Sequence, residues 1–376
     1  MTAKIDPSAT VIRQPAEVRC AAELAALRAH DRWERPPGWH LSPRLVETFV
    51  MGGSEPLPDP AGGPAIPIAP KFVGDRRLVQ IAIATLASDR ALMIAGEPGT
   101  AKSWLSEHLA AAISGTSLLI AQGTAGTTEE QVKYSWNYAL LIAEGPSRRA
   151  LVQSPIVRGM ERGLVVRFEE LTRCAAEVQD ALISVLSEKQ VAIPELEEIV
   201  SARRGFAVIA TANTRDRGVN DMSAALKRRF NYVTIPVIAD LEQEIRIVEQ
   251  RSRELLADLG VTTAVPRDLT RLLATVFAEL RRGQTIDGKA KVKSPSTVLS
   301  TAELISVVAN GALLGSFFGQ GQPTVGDCFA ALVGTVAKEN AADLAVLKEY
   351  LETVAKPRRD GLWPKLHLAG RELLAE

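Results

Sequence analysis

Gly96-Glu97-Pro98-Gly99-Thr100-Ala101-Lys102-Ser103 is the stretch whose reading decides the fold. It follows Ala91-Leu92-Met93-Ile94-Ala95, an apolar run that reads as a buried strand. It leads into Trp104, Leu105, His108, Leu109, Ala112 and Ile113, an apolar stripe at helical spacing. A strand, a tight glycine-bearing loop and a helix together make a phosphate cradle. Loop N–H groups point inward, the helix N-terminus adds partial positive charge, Lys102 reaches the terminal phosphates, and the Ser103 hydroxyl can ligate Mg²⁺. Ala101 stands where the strict pattern has glycine.

Working outward, the 376 residues suffice for two domains, or for one with a large appendage. Lys+Arg and Asp+Glu both number 44, so no global field draws the chain to nucleic acid or acidic lipid. The three cysteines, Cys20, Cys174 and Cys328, lie far apart without metal-ligand spacing and point to a reducing compartment. Met1 to Thr10 has no apolar core and is not read as a secretion signal. Leu304 to Gly326 is uncharged, but Asn310, Gln320, Gln322 and Pro323 break it, so it reads as a core helix and not a membrane span. The expectation is a soluble cytoplasmic protein.

Residues 15–50 suggest two short helices around Arg35-Pro36-Pro37-Gly38, with Trp33 and Trp39 docking them onto the core. Ten of the nineteen residues from Gly52 to Pro70 are Gly or Pro, which marks a linker. Five apolar runs follow: Ala91–Ala95, Leu118–Ala121, Leu164–Phe168, Phe206–Thr211 and Val233–Val237. Helical stripes alternate with them, so a five-stranded parallel sheet covered on both faces is expected. From Leu241 the pattern is helical throughout. Leu269, Leu272, Leu273, Val276, Phe277 and Leu280 form one amphipathic face, further helices are expected around 297–318, 323–338 and 341–355, and Pro357 and the Pro364 region end the last. The expected organisation is an N-terminal helical extension and linker over 1–70, an α/β nucleotide-binding core over 71–240, and an all-helical lid over 241–376.

Phosphate chemistry needs more than a loop: a metal held by acidic or hydroxyl groups, a carboxylate that orients water, and positive charge near the leaving phosphate. Leu164-Val165-Val166-Arg167-Phe168 runs straight into Glu169-Glu170 at the carboxyl end of a strand, where ligands of open α/β sheets sit. Glu169 would join Ser103 on the Mg²⁺ and Glu170 would polarise the attacking water. Alone, the acid pair equally suits a helix start. Asn213 ends the fourth strand and could sense a γ-phosphate, although an Asn in a turn is ordinary. Lys227-Arg228-Arg229 before Phe230 reads either as a surface cluster or as the source of an arginine for a neighbouring subunit's nucleotide.

In this order the phosphate loop, Glu-Glu strand end, Asn strand end and Lys-Arg-Arg-Phe resemble the AAA+ ATPases. The likeness is closer to their MoxR branch and, within it, to the YehL-like group. Phe72-Val73-Gly74 is similar to the segment that contacts adenine, and Glu169-Glu170-Leu171-Thr172-Arg173 resembles the branch's Asp-Glu-Ile-Asn-Arg. Ala181 to Val191 is similar to the helix and hairpin that follow. Residues 135–155, with Trp136, Tyr138 and Arg148-Arg149, fall where the branch inserts a hairpin. Ser294-Pro295 is similar to the start of the sensor-2 helix.

The resemblance implies ATP and Mg²⁺ as cofactors. It also implies nucleotide contacts from Phe72, Val73, Gly74 and Gly96 through Ser103 to Trp104, and a homo-oligomeric ring, expected to be a hexamer. It further implies chaperone-like remodelling of a protein substrate, with a von Willebrand factor A domain adaptor. No membrane partner is expected, nor nucleic acid, although relatives of this shape in restriction complexes make a nucleic-acid motor one alternative. An ATP-binding scaffold with little hydrolysis is the other, because Glu169 replaces the branch's Asp and Ser296 stands at the sensor-2 arginine. The basic stretch 289–293 is a candidate substitute for that arginine. Alanine at position 101 is usual in the branch. Either Arg228 or Arg229 would be the trans arginine, Arg229 matching better. His108 reads as a packed histidine. Arg281-Arg282 with Lys289, Lys291 and Lys293 reads first as a solvated loop, and alternatively as a loop that contacts a partner or nucleic acid.

Overall fold

The computed structural model describes residues 12–214, 220–296, 298–337 and 340–374. The reading of Met1–Thr10 lies outside them. Among the described residues the strands, in chain order, are β1 (Ala91–Gly96), β2 (Ile120–Gln122), β3 (Tyr134–Trp136), β4 (Leu151–Gln153), β5 (Val165–Glu169), β6 (Gln190–Ile193), β7 (Glu198–Ser201), β8 (Ala207–Asn213) and β9 (Phe230–Ile235). Five of them form a parallel sheet in the order β2-β5-β8-β1-β9, as expected. The period of two divides the strand side chains between its faces. Leu92, Ile94, Val165, Ile209, Val233 and Ile235 enter one core; Met93, Val166, Phe168, Val208, Ala210 and Phe230 enter the other.

Register explains why the chemistry gathers at one sheet end. Gly96 pairs with Asn213 across β1 and β8, and Gln122 with Glu169 across β2 and β5. The last strand begins three residues before the expected Val233, because Phe230, Asn231 and Tyr232 already pair with Ala91, Leu92 and Met93. Tyr232 is half-exposed on this edge strand, which hid the run from a reading based on continuous apolarity. The hairpin β3–β4 begins at Tyr134, one residue before the 135–155 read for it, and carries the helix Tyr138–Glu144 between its strands. The helix Leu182–Ser187 and the hairpin β6–β7 follow the acid pair.

The chain divides into two compact units. One holds the chain up to Glu97 with Ala101–Pro236; the other holds Pro98–Thr100 and the chain from Val237 onward. The residues before the linker therefore share a unit with the sheet. Leu27, Leu41, Val46, Phe49 and Val50 are buried in the same cluster as Leu105 and Leu109 of the helix Lys102–Ser114. That helix is further clasped by charge. Glu107, 3% exposed, accepts from Arg13 Nη2 at 2.7 Å and Arg19 Nη2 at 3.0 Å. The Arg19 guanidinium lies 4.6 Å from the centre of the Trp104 ring. Trp39 docks as expected, but Trp33 is 44% exposed under Arg44, so only one of the two tryptophans reaches the core.

The second unit is helical: Leu241–Asp258, Arg267–Arg282, Thr301–Phe317, Val325–Val336, Ala341–Tyr350 and Trp363–Leu373. The amphipathic face from Leu269 to Leu280 is buried as read. Thr301–Phe317 is a core helix, and no helix among the described residues is long and apolar enough to cross a membrane. The Pro364 region starts a helix where it was expected to end one. Proline suits a first turn, whose N–H groups have no helical partner anyway.

Candidate nucleotide-binding site

β1 is buried along its whole length and delivers Gly96 to the carboxyl end of the sheet. The chain then turns through Gly99 at φ 73° and Ala101 at φ 64°, ψ 25° before the helix Lys102–Ser114 begins. The left-handed conformation at Ala101 is the one in which glycine carries no Cβ penalty, which is why the motif favours glycine there. It aims the first N–H groups of a thirteen-residue helix at the loop's mouth. Lys102 is 8% exposed, and its Nζ donates to the carbonyls of Gly96 at 3.2 Å and Glu97 at 2.7 Å. An ammonium, a helix N-terminus and a hydroxyl on one loop form a donor set that fits a polyphosphate.

The metal-facing pair also meets. Ser103 Oγ donates to Glu169 Oε2 at 2.6 Å, and Thr211 Oγ1 donates to the same oxygen at 2.8 Å. The other oxygen, Oε1, accepts from Ser106 Oγ at 2.7 Å and Arg167 Nη2 at 2.8 Å. Burial pushes the Glu169 carboxyl up, but the Arg167 guanidinium and the Ser103, Ser106 and Thr211 hydroxyls hold it below its ordinary value. Glu169 is 5% exposed and ionised. Among the described residues no three His, Cys, Asp or Glu side chains form a metal cage. A Mg²⁺ carried on phosphates needs only one or two protein oxygens, so Ser103 and Glu169 fit it.

Glu170 is also left-handed, at φ 55°, with its N–H donating to Thr211 Oγ1 at 2.9 Å. Its carboxylate lies 2.7 Å from Arg173 Nε. Asn213, half-buried at the end of β8, sits beside Gly96. Phe72 is packed in the core, while Val73 is 38% exposed. A side chain at Gly74 would fall 2.5 Å from the Phe72 ring, so that position is closed to anything larger than glycine unless the ring moves. Trp104 Nε1 donates to the Lys71 carbonyl at 2.8 Å and ties this segment to the loop helix. His108 is a packed histidine. Its Nδ1 lies 2.7 Å from the Trp104 carbonyl, its ring packs against Trp104 and Phe49, and burial lowers its pKa to about 4.

Arg228 and Arg229 are not part of this gathering. They precede β9 at its Ala91 end, a strand length of roughly 17 Å from Gly96. Arg229 is half-buried, with Nη1 on the Ala225 carbonyl and Nε on Ser187 Oγ, both at 2.5 Å. Arg228 is exposed, with Nε 3.3 Å from the Ala224 carbonyl. In the helical unit, Ser296 donates from N and Oγ to Asp343, each at 2.7 Å. Arg281 holds the buried Glu244, Arg282 donates to the Ala239 carbonyl, and Lys293 pairs with Glu349.

Residues 91–230 match the AAA domain of the dynein-related subfamily, and residues 242–371 match the YehL-like AAA+ ATPase C-terminal domain. The chain is 42% identical over 364 residues to YehL, an uncharacterised protein of Escherichia coli K12, covering 96% of this chain and 97% of that one. The chain belongs to the YehL-like AAA+ ATPases. It is also 23% identical over 255 residues to YojN of Bacillus subtilis, covering 64% of this chain and 79% of that one. NtrX of Brucella abortus, solved in complex with ATP, aligns with a TM-score of 0.49 at 15% identity, covering 81% of this chain and 69% of that one.

In this YehL-like ATPase, sequence reasoning missed Ser106, Arg167 and Thr211. The signal was present. Arg167 lies two residues before Glu169 on a strand, hence on the same face, and Ser106 lies one helical turn after Ser103. Thr211 occupies the neighbouring strand one step beyond Ala210, the partner of Phe168.

Proposed function

We propose that this protein hydrolyses ATP with Mg²⁺ as a ring-forming AAA+ ATPase and acts as a chaperone-like remodeller of protein partners. The observation that carries the nucleotide chemistry is the 2.6 Å contact between Ser103 Oγ and Glu169 Oε2, with Glu170 next in the chain and Asn213 beside Gly96. Gly96 to Ser103 hold the phosphates, and Lys102 moves from the loop carbonyls onto them. Ser103 and Glu169 would hold the Mg²⁺, which would supply positive charge to offset that of the phosphates. Glu170 orients the attacking water and takes its proton. Its pairing with Arg173 does not prevent this, because both side chains are a third or more exposed and such pairs are worth only ~0.2–1 kcal/mol. Asn213 senses the terminal phosphate. Phe72, Val73 and Gly74 sit at the base, and Trp104 fixes that segment.

Arg228 and Arg229 sit too far along the sheet to serve their own loop, which supports the reading that one of them serves a neighbouring subunit in a hexameric ring. A protein substrate and a von Willebrand factor A domain adaptor follow the resemblance to the MoxR branch, and the cytoplasm follows the three widely spaced cysteines. A second reading, an ATP-dependent assembly scaffold, is favoured by the neutralisation of Glu169 by Arg167. Steady-state turnover of the full chain decides between them. Glu170→Gln should bind ATP and lose at least ~100-fold in turnover, the scale of a lost general base. Lys102→Ala should lose nucleotide binding itself. Equal turnover of Glu170→Gln and the native chain would sink the hydrolase reading and leave the scaffold.

A further inference from the structure

Arg167 is a charged side chain in the middle of a buried strand, 5% exposed, and the nucleotide chemistry above gives it no role. Its guanidinium is used on every side. Nη2 reaches Glu169 Oε1 at 2.8 Å and the Ser103 carbonyl at 3.1 Å. Nε reaches Ser106 Oγ at 3.0 Å, and Nη1 the Ser117 carbonyl at 3.3 Å. One planar fork thus joins the metal-facing acid to the first turn of the loop helix and to the chain beyond that helix. Glutamate has one more methylene than aspartate and would otherwise sweep a wider arc. Here Arg167 and Ser106 claim Oε1, leaving Oε2 turned toward Ser103 and Thr211.

The charge balance has a second effect. A free divalent cation near Oε2 would gain attraction from the carboxylate but meet repulsion from the guanidinium behind it, which offsets part of that gain. A cation arriving with triphosphate oxygens brings its own negative charge and escapes that penalty.

We propose that Arg167 is a positioning residue for Glu169: it fixes the carboxylate against Ser103 and neutralises it, so that Mg²⁺ enters only together with a nucleoside triphosphate. This rests on the ATP and Mg²⁺ reading of the loop and Glu169.

The test uses the full chain and two readouts that need no turnover: thermal unfolding with and without MgCl₂ in the absence of nucleotide, and equilibrium binding of a fluorescent ATP analogue in Mg²⁺ or in EDTA. The native protein should ignore Mg²⁺ alone and prefer the Mg²⁺ complex of the analogue. Arg167→Gln should gain a Mg²⁺-dependent rise in melting temperature without nucleotide, and adding Glu169→Gln should remove it. Its preference for the Mg²⁺ complex should drop about 10–100-fold, the usual effect of removing a partner of a metal ligand. Arg167→Lys keeps the charge but not the fork, so it should stay silent toward Mg²⁺ alone while losing part of that preference. A purely structural Arg167 would lower the melting temperature without creating any Mg²⁺ response. That result, or a native protein that responds to Mg²⁺ alone as Arg167→Gln does, overturns the proposal. Should Arg167→Gln fail to fold, an unchanged preference in Arg167→Lys overturns it equally. If the native chain binds the analogue in neither condition, the nucleotide reading itself falls and takes this proposal with it.

Discussion

Replacing Ala101 by glycine tests the phosphate loop without touching any group that would contact a ligand. Ala101 sits at φ 64°, ψ 25°, where a Cβ costs about 1–2 kcal/mol. Ala101→Gly removes that cost. It also gives the unfolded chain more freedom, which takes back about 0.4–1 kcal/mol. Position 101 is the N-cap of the loop helix, where glycine outranks alanine, so the balance favours the variant by roughly 0.5–1 kcal/mol. For a unit of this size that corresponds to a rise of about 1–4 °C in melting temperature. Calorimetry measures the shift, and titration with a fluorescent ATP analogue measures the site. Affinity should stay within about threefold, because the backbone N–H groups keep their directions. Ala101→Val is the control: a β-branched residue at positive φ is a true outlier and should lose both stability and binding. A fall of more than about 2 °C in Ala101→Gly, or a valine tolerated as well as glycine, refutes the left-handed loop.

Two further outcomes follow from the same geometry. Arg229→Ala should leave analogue binding intact and depress turnover in the assembled protein, whereas Arg228→Ala should do so only if Arg228 is the residue supplied across the ring; concentration-independent monomers turning over at the full rate would exclude both. His108 stays neutral in the folded protein down to about pH 4 but protonates near 6.5 when unfolded, so the unfolded state binds the extra proton between those values. Stability should therefore fall as pH drops from 6.5 to 4, by about 3 kcal/mol from this residue. Denaturation of His108→Gln at pH 7 and pH 4.5 should show a correspondingly weaker acid dependence, and an unchanged one would refute the assignment.

The strands of the sheet were legible because a parallel sheet covered on both faces needs near-continuous apolar runs, and Ala91 to Ala95 or Phe206 to Thr211 supply them. Phe230 to Tyr232 escaped because an edge strand tolerates a polar residue at every second place. The helix at Trp363 escaped because proline marks the start of a helix as well as the space after one. At the site, Gly96 to Ser103 and Glu169-Glu170 announce themselves through spacing. The guanidinium behind Glu169 is quieter: its place two residues before Glu169 puts it on the same strand face, but an arginine in an apolar run does not by itself show whether it reaches solvent or pairs inside. The burial of Leu27, Val46 and Phe49 against the loop helix was equally hidden, since no local pattern records a contact across more than fifty residues of chain.

That last packing bears on how the protein can be cut. The match to the dynein-related AAA domain begins at residue 91, and the Gly/Pro-rich run before it looks like a convenient place to start a shorter protein. A fragment begun there would uncover the face of the loop helix that Leu27, Leu41, Val46, Phe49 and Val50 now shield, each worth about 1.5–3 kcal/mol of burial. It would also leave Glu107 without Arg13 and Arg19. Those losses rival the whole stability of an ordinary domain. Residues 12–50 are thus a wall of the nucleotide fold, and a minimal ATPase unit of this protein has to include them.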